Sequence, residues 1–185
     1  MNFFKLIYLK VKNRYSLKDL IFLEVESLLF GFFGIFPTFF GVILRYFIVR
    51  LLSLNCKGFC WIQSHVTIVH SNRIKFGHSV AINSFSYLNG IGGLDIGNYV
   101  LIGPNVTISS GIHPIRGRSI PIITRQTIPK KITIEDDVWI GAGAVIMPGI
   151  TLARGTVVGA NGVVLKSTKP FEVIAGIPAK NLYSR

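Results

Sequence analysis

From Ile134 onward an aliphatic residue returns at every sixth position: Ile134, Ile140, Ile146, Leu152, Val158 and Val164. An earlier run keeps the same step at Ile96, Ile102 and Ile108. A second aliphatic or small residue stands four places into these blocks, at Val100, Val106, Ile112, Val138, Ala144 and Ile150. A period of six fits neither the helical 3.6 nor the two-residue alternation of an ordinary strand. It fits a coil with three short flat faces, one inward aliphatic residue per face, and Gly or Asn at the corners. One such coil cannot bury its apolar face, so coils stack and the stack makes the core. Nine blocks holding phase exclude chance alternation, and the pattern predicts an all-β solenoid of hexapeptide repeats. Around Phe76, Ile82 and Leu88 the phase is shifted and the repeat reads as degenerate. Residues 109–133 interrupt it altogether, with three prolines, five Lys or Arg and no acid. That predicts an extruded loop, and long loops on a rigid scaffold usually carry function.

Before residue 60 the text is helical and greasy. Ser27 to Leu44 runs eighteen residues without a charge, the lower limit for a spanning helix, but Pro37 falls in its middle and glycines weaken it. Glu24 and Glu26 stand before the run, Arg45 and Arg50 after it. Two short helical arms meeting at Pro37 and dipping into one leaflet fit better than a span. Lys5, Lys10, Lys12, Arg14 and Lys18 among apolar neighbours add an interfacial helix suited to anionic headgroups. The other reading is a helical cap that buries this surface on the solenoid or on another subunit. The expected organisation is a helical, membrane-associated region over 1–54, then a solenoid over 55–185 with its loop at 109–133.

The net charge of +12 is shared by both regions, without the aromatic interleaving or reader motif that nucleic-acid binding requires. No nucleic-acid partner is expected; anionic lipid, cofactor phosphates or an acidic glycan suit the charge better. Two cysteines, Cys56 and Cys60, and the lack of a secretory pattern imply a reducing compartment. Their spacing to His65 and His70 is too short for a usual zinc finger, so a pair of small thiols is expected and no metal.

Over Ile96–Arg185 the text IGPNVTISSGIHP, ITIEDDVWIGAGAVIMPGITL, VVGANGVVLKS and VIAGIPAKNL resembles the hexapeptide-repeat acyltransferases, including galactoside, maltose and virginiamycin acetyltransferases. AINSF at 81–85 extends the likeness. FPTFFGVILR, with Gly41 and Arg45, looks more like enzymes that O-acetylate capsule or lipopolysaccharide sugars. The resemblance implies a left-handed parallel β-helix and a homotrimer with active sites between neighbouring subunits. It also implies acetyl-CoA as co-substrate and direct transfer without a covalent enzyme intermediate. A sugar or lipid-linked glycan is the acceptor it implies, at the cytoplasmic face of the bacterial inner membrane.

Transfer from a thioester to a hydroxyl needs a base near neutral pKa, which histidine supplies. His113 ends a regular repeat at the mouth of the loop and matches the family's catalytic histidine. Asn83 matches an asparagine that positions the acceptor, although Asn also suits a solenoid corner. Trp139 matches an active-site tryptophan and equally suits packing between subunits. By the same likeness, Ala142 and Ala160 let the pantetheine arm approach the backbone, while Leu165, Lys166 and Lys180 fall where relatives meet the far end of the cofactor. Leu165 stands where many relatives have Thr and Tyr183 where some have a further Arg, with Lys169 or Arg185 available to compensate. A γ-carbonic-anhydrase-type metal enzyme needs three converging histidines that this spacing does not offer, and a non-catalytic scaffold has no need of His113 and Asn83. Acetylation of a soluble small molecule, an antibiotic or free sugar, is the remaining alternative.

Overall fold

The computed structural model describes residues 15–185. Three parallel sheets form the sides of a prism. The first face stacks Asn55–Cys56, Ile74–Phe76, Leu94–Ile96, Ile132–Ile134 and Thr151–Leu152. The second stacks Cys60–Ile62, Val80–Ile82, Leu101–Ile102, Trp139–Ile140, Val157–Val158 and Glu172–Gly176. The third stacks Thr67–Val69, Tyr87–Asn89, Thr107–Ser109, Val145–Ile146 and Val163–Val164. Each inward residue sits on its counterpart in the next coil: Ile102 lies between Ile82 and Ile140, and Ile140 between Ile102 and Val158. These side chains are essentially inaccessible and form one continuous core.

Two expectations need correction. The stretch around Phe76, Ile82 and Leu88 is regular: these residues pair with Ile96, Ile102 and Ile108. Only the turn between the third and first faces is longer there, where Gly90–Gly93 add residues before Leu94 and displace the phase in the text. Ile112, which continues the six-residue count, is not in the core. It is half-buried at the foot of a hairpin, and Ile132, fully buried, takes the place it would have filled. The chain leaves the coil after Ser110 and returns at Ile132, so hydrophobic phase alone misjudges which isoleucine closes the gap.

Corners recur as regularly as the core. His65, Ser79, Phe85, Tyr99, Asn105, Asp137, Asn161 and Phe171 all adopt φ between 56° and 64°, each three residues before an inward aliphatic residue. For a residue with a Cβ this costs on the order of 1 kcal/mol, which coil stacking outweighs. Between the second and third faces the corner admits only glycine at some levels. A Cβ on Gly103 would lie 2.7 Å from the Ala142 nitrogen, and one on Gly141 2.7 Å from that of Ala160.

Helix α1, Leu17–Gly34, begins at a capping box in which Ser16 and Asp19 exchange hydrogen bonds. Helix α2, Phe39–Leu52, is capped by Thr38. Pro37 lies between them, so the two arms read from the sequence are two helices. Their inner faces cover the open end of the solenoid: Phe30, Ile48 and Val49 join the core that contains Ile62 and Ile68. Glu26 and Arg45, which the sequence presents as charges flanking an apolar run, are buried and tie helix to coil. Glu26 accepts the backbone N–H of His70 at 2.8 Å and of Ser71 at 2.6 Å. Arg45 donates to the carbonyls of Ile62, Phe33 and Phe36 at 2.8–2.9 Å. The outer faces stay apolar, exposing Leu17, Ile21, Leu28 and Phe32 on α1 and Phe40, Phe47 and Leu51 on α2. Among the described residues no helix is long and apolar enough to cross a membrane. The basic stretch from Lys5 to Arg14 lies outside the described residues.

Candidate active site

The candidate residues fall on two edges of the third face. At the corner entering it, Asn83, Gly103, Gly141 and Gly159 form a column in which each N–H donates to the inward aliphatic residue of the next coil, at 2.7–3.0 Å. Ala142 and Ala160 stand one position further along the same corner, both exposed. Asn83 doubles the corner bond, because its Nδ2 also donates to the Ile102 carbonyl at 2.8 Å. Its side-chain oxygen is then left to accept from elsewhere. Trp139 lies just upstream on the outside of the second face, half-exposed, in register with Leu101 and Val157.

Lys180 belongs to the same side. The AGIPAK text is the turn of an antiparallel hairpin, in which Glu172–Gly176 turns into Ala179–Ser184 and Lys180 pairs with Ala175. Arg185, the C-terminal residue, lies half-exposed beside Asp137. It pairs with the Asp137 carboxylate at 2.5 Å and donates to the Gly155 carbonyl at 2.9 Å, tethering the C-terminal strand.

The opposite corner, where the third face ends, holds the other group. Leu165 and Lys166 follow Val163–Val164 there, both exposed. At the same corner, two coils nearer the cap, the extruded loop departs. Its stem is well anchored: the buried Ser110 hydroxyl donates to the Asn89 carbonyl at 2.9 Å and accepts the Gly92 N–H at 2.8 Å. Gly111–Ile112 then pairs antiparallel with Ile128–Pro129. His113 is the next residue, exposed, with no ring hydrogen bond to any described residue.

Within one chain His113 and Asn83 therefore stand at opposite edges of the third face. The third face between them is six residues wide, roughly 15–20 Å at strand rise. Among the described residues, one cleft of about 420 Å³ lies in the loop itself, beside Pro114, Arg116, Ile120 and Arg125. Another of about 410 Å³ runs along the first face beside Lys75, Asp95, Asp136 and Arg154, and one of about 540 Å³ lies under α1. None of the candidate residues lines any of these. Among the described residues no three His, Cys, Asp or Glu side chains converge as metal ligands. His65 stacks on Phe85, His78 meets the edge of Tyr99, and His70 bonds Asn89 through Nδ1 at 3.1 Å. The two thiols lie together, with Sγ atoms 3.8 Å apart. The Cys60 thiol bonding to Cys56 lowers the Cys56 pKa to about 7, while that same bond and then burial push Cys60 up.

Sequence reasoning missed the buried Glu26 and Arg45 and also Arg125, which is buried in the loop among exposed basic residues. Nothing in the text separates Arg125 from Arg116 or Arg118.

Residues 131–166 match the bacterial transferase hexapeptide family (six repeats). The chain is 33% identical over 120 residues to a galactoside O-acetyltransferase of Escherichia coli K12, covering 65% of this chain and 58% of that protein. It is also 33% identical over 114 residues to a protein named for lipopolysaccharide O-acetyl transfer in the same organism, covering 58% of each. The chain thus spans less than two thirds of the length of these curated relatives. A hexapeptide-repeat acetyltransferase of Vibrio cholerae, solved with acetyl-CoA, superposes with a TM-score of 0.82 at 28% identity, covering 91% of this chain and 90% of that one.

Proposed function

We propose that this chain, a member of the bacterial transferase hexapeptide family, is an O-acetyltransferase that moves an acetyl group from acetyl-CoA to a sugar hydroxyl, with His113 as general base. The observation that carries the reading is the place of His113, presented by an anchored stem at a solenoid corner, one face away from the glycine and alanine column. A neighbouring copy set against that face brings the His113 edge of one protomer to the Asn83 edge of the next. A cyclic homotrimer closes such a heterologous contact. The half-exposed Trp61, Leu101 and Trp139 on the second face provide apolar area for it.

In this arrangement Ala142 and Ala160 admit the pantetheine arm against backbone, and Lys166 and Lys180 meet its charged end. The Asn83 oxygen accepts from the acceptor sugar. The hydroxyl oxygen attacks the thioester carbonyl carbon as His113 takes its proton. The tetrahedral adduct then expels the thiolate, which receives the proton from His113. Two products leave, the acetyl ester and CoA, and no enzyme-bound acyl group forms.

The test is His113→Ala, which should lower transfer roughly 10²–10⁴-fold with fold and assembly intact. Retention of more than half the activity overturns the base assignment.

A membrane-held acceptor, a surface polysaccharide or its lipid-linked precursor, is supported by the outer face of the cap. Leu17, Ile21, Leu28 and Phe32 follow helical spacing on the side of α1 away from the core. The enzyme then works on the cytoplasmic membrane surface. A free sugar acceptor is supported instead by the likeness to a galactoside O-acetyltransferase. Partition of full-length protein between membrane and soluble fractions, without detergent, separates the two: wholly soluble protein rejects the membrane reading.

A further inference from the structure

Arg125 is only 8% exposed, yet its loop contains no acid. Its guanidinium is satisfied by backbone carbonyls of the same loop instead. Nη1 donates to Pro114 at 3.0 Å and Arg116 at 2.6 Å, Nη2 to Gly117 at 2.6 Å and Ile120 at 2.8 Å, and Nε to Ile120 at 3.3 Å. Four carbonyls from one side of the loop thus converge on a single planar fork. Charge-assisted bonds of this kind are the stronger sort, and a buried guanidinium without them would be costly. Lysine, a point charge on a flexible stem, cannot span four carbonyls in one plane. The loop is folded around Arg125 much as a small domain is folded around its core.

The consequence falls on His113. On one side the chain is fixed by the paired stem, Gly111 with Pro129 and Ile112 with Ile128. On the other, the very next carbonyl, that of Pro114, is held by Arg125. His113 occupies the single position between these two anchors. No described side chain bonds its ring, so the backbone on either side is what sets the direction in which the imidazole leaves the chain.

We infer that Arg125 is the positioning residue for His113: it holds the loop backbone so that the imidazole meets the acceptor hydroxyl. This rests on His113 being the base. Arg125 itself touches no substrate. Its loss should therefore act on the chemical step, while the donor residues, which lie on the solenoid coils, keep their affinity.

The experiment uses full-length protein, acetyl-CoA and methyl β-galactoside as probe acceptor, following release of CoA. Arg125→Ala should lower kcat about 10–100-fold, the scale of a small misplacement of a reacting group. The KM for acetyl-CoA should stay within about twofold, and the thermal midpoint should be unchanged. Added guanidinium ion, below denaturing concentration, should restore part of the loss, and Arg125→Lys should remain slow. Trypsin cleavage after Arg116 and Arg118 reads the same clamp without any acceptor and should be faster in Arg125→Ala. Equal cleavage rates, or a kcat within about twofold of the parent, overturn the inference. His113→Ala, measured alongside, keeps the two readings apart. If it is active, the base assignment is wrong; if it is inactive while Arg125→Ala turns over normally, only the positioning role fails.

Discussion

The guanidinium of Arg45, on the second cap helix, donates through Nε to the carbonyl of Ile62, the inward residue of the first coil, at 2.9 Å. The same side chain holds the carbonyls of Phe33 and Phe36 at the end of the first helix. One buried side chain therefore joins both helices and the solenoid. Gly41 leaves room for it, since a Cβ there would lie 2.9 Å from Arg45 Nη1 and 2.4 Å from the Phe36 oxygen.

Arg45→Met should loosen the cap selectively. It leaves three carbonyls without their donor, at about 1–3 kcal/mol for each one that water does not reach. Hydrogen exchange of helices α1 and α2 should quicken, while the coils from Leu94 onward keep their protection. Uniform loss of protection along the chain would show that the cap and the solenoid unfold as one unit.

If each active site is shared, two inactive variants should complement. His113→Ala and Asn83→Ala, unfolded together and refolded as a mixture, should regain about a quarter of parental activity in a cyclic assembly. Each variant refolded alone should stay inactive. No recovery from the mixture would mean that both residues act within one protomer.

Lys166 and Lys180 are exposed on different edges of the third face. If both meet the charged end of the donor, Lys166→Ala and Lys180→Ala should raise the KM for acetyl-CoA more than they lower kcat. Steady-state kinetics at saturating acceptor reads this directly. An unchanged KM in both variants places the charged end of the donor elsewhere.

Cys56, with its pKa near 7, should react with iodoacetamide at a rate that rises through a midpoint close to neutrality. Raising the pH through 7 converts thiol to thiolate, so labelling accelerates between about pH 6 and 8 and then levels. Cys60, buried and pushed upward, should remain unlabelled in the folded protein. Cys60→Ala removes the donor to Cys56 and should move the midpoint toward that of an ordinary thiol. A midpoint above 8 in the parent chain would argue that the pair does not share its hydrogen bond.

The six-residue recurrence from Ile96 to Val164 was enough to determine the solenoid, because stacked coils need one inward aliphatic residue per face, a spacing that neither a helix nor a plain strand produces. The interruption at 109–133 and the break at Pro37 were equally plain, the first because the six-residue count lapses there and the second because proline does not continue a helix. His113, Asn83, Ala142, Ala160 and Lys166 became candidates through their motifs, and the coil register then put them at two corners. Tertiary structure decided everything that depends on what lies across the chain. Glu26 and Arg45 read as flanking charges, because a sequence does not show that the backbone of His70 or Ile62 lies within reach. Ile112 keeps phase yet yields its place in the core to Ile132, because the chain departs before the next coil closes. Arg125 is one of five basic residues in its loop, and only the fold of that loop gathers four carbonyls around it. Periodicity records which side of the chain is apolar; the partner of a buried polar group is set by contacts between residues far apart in sequence.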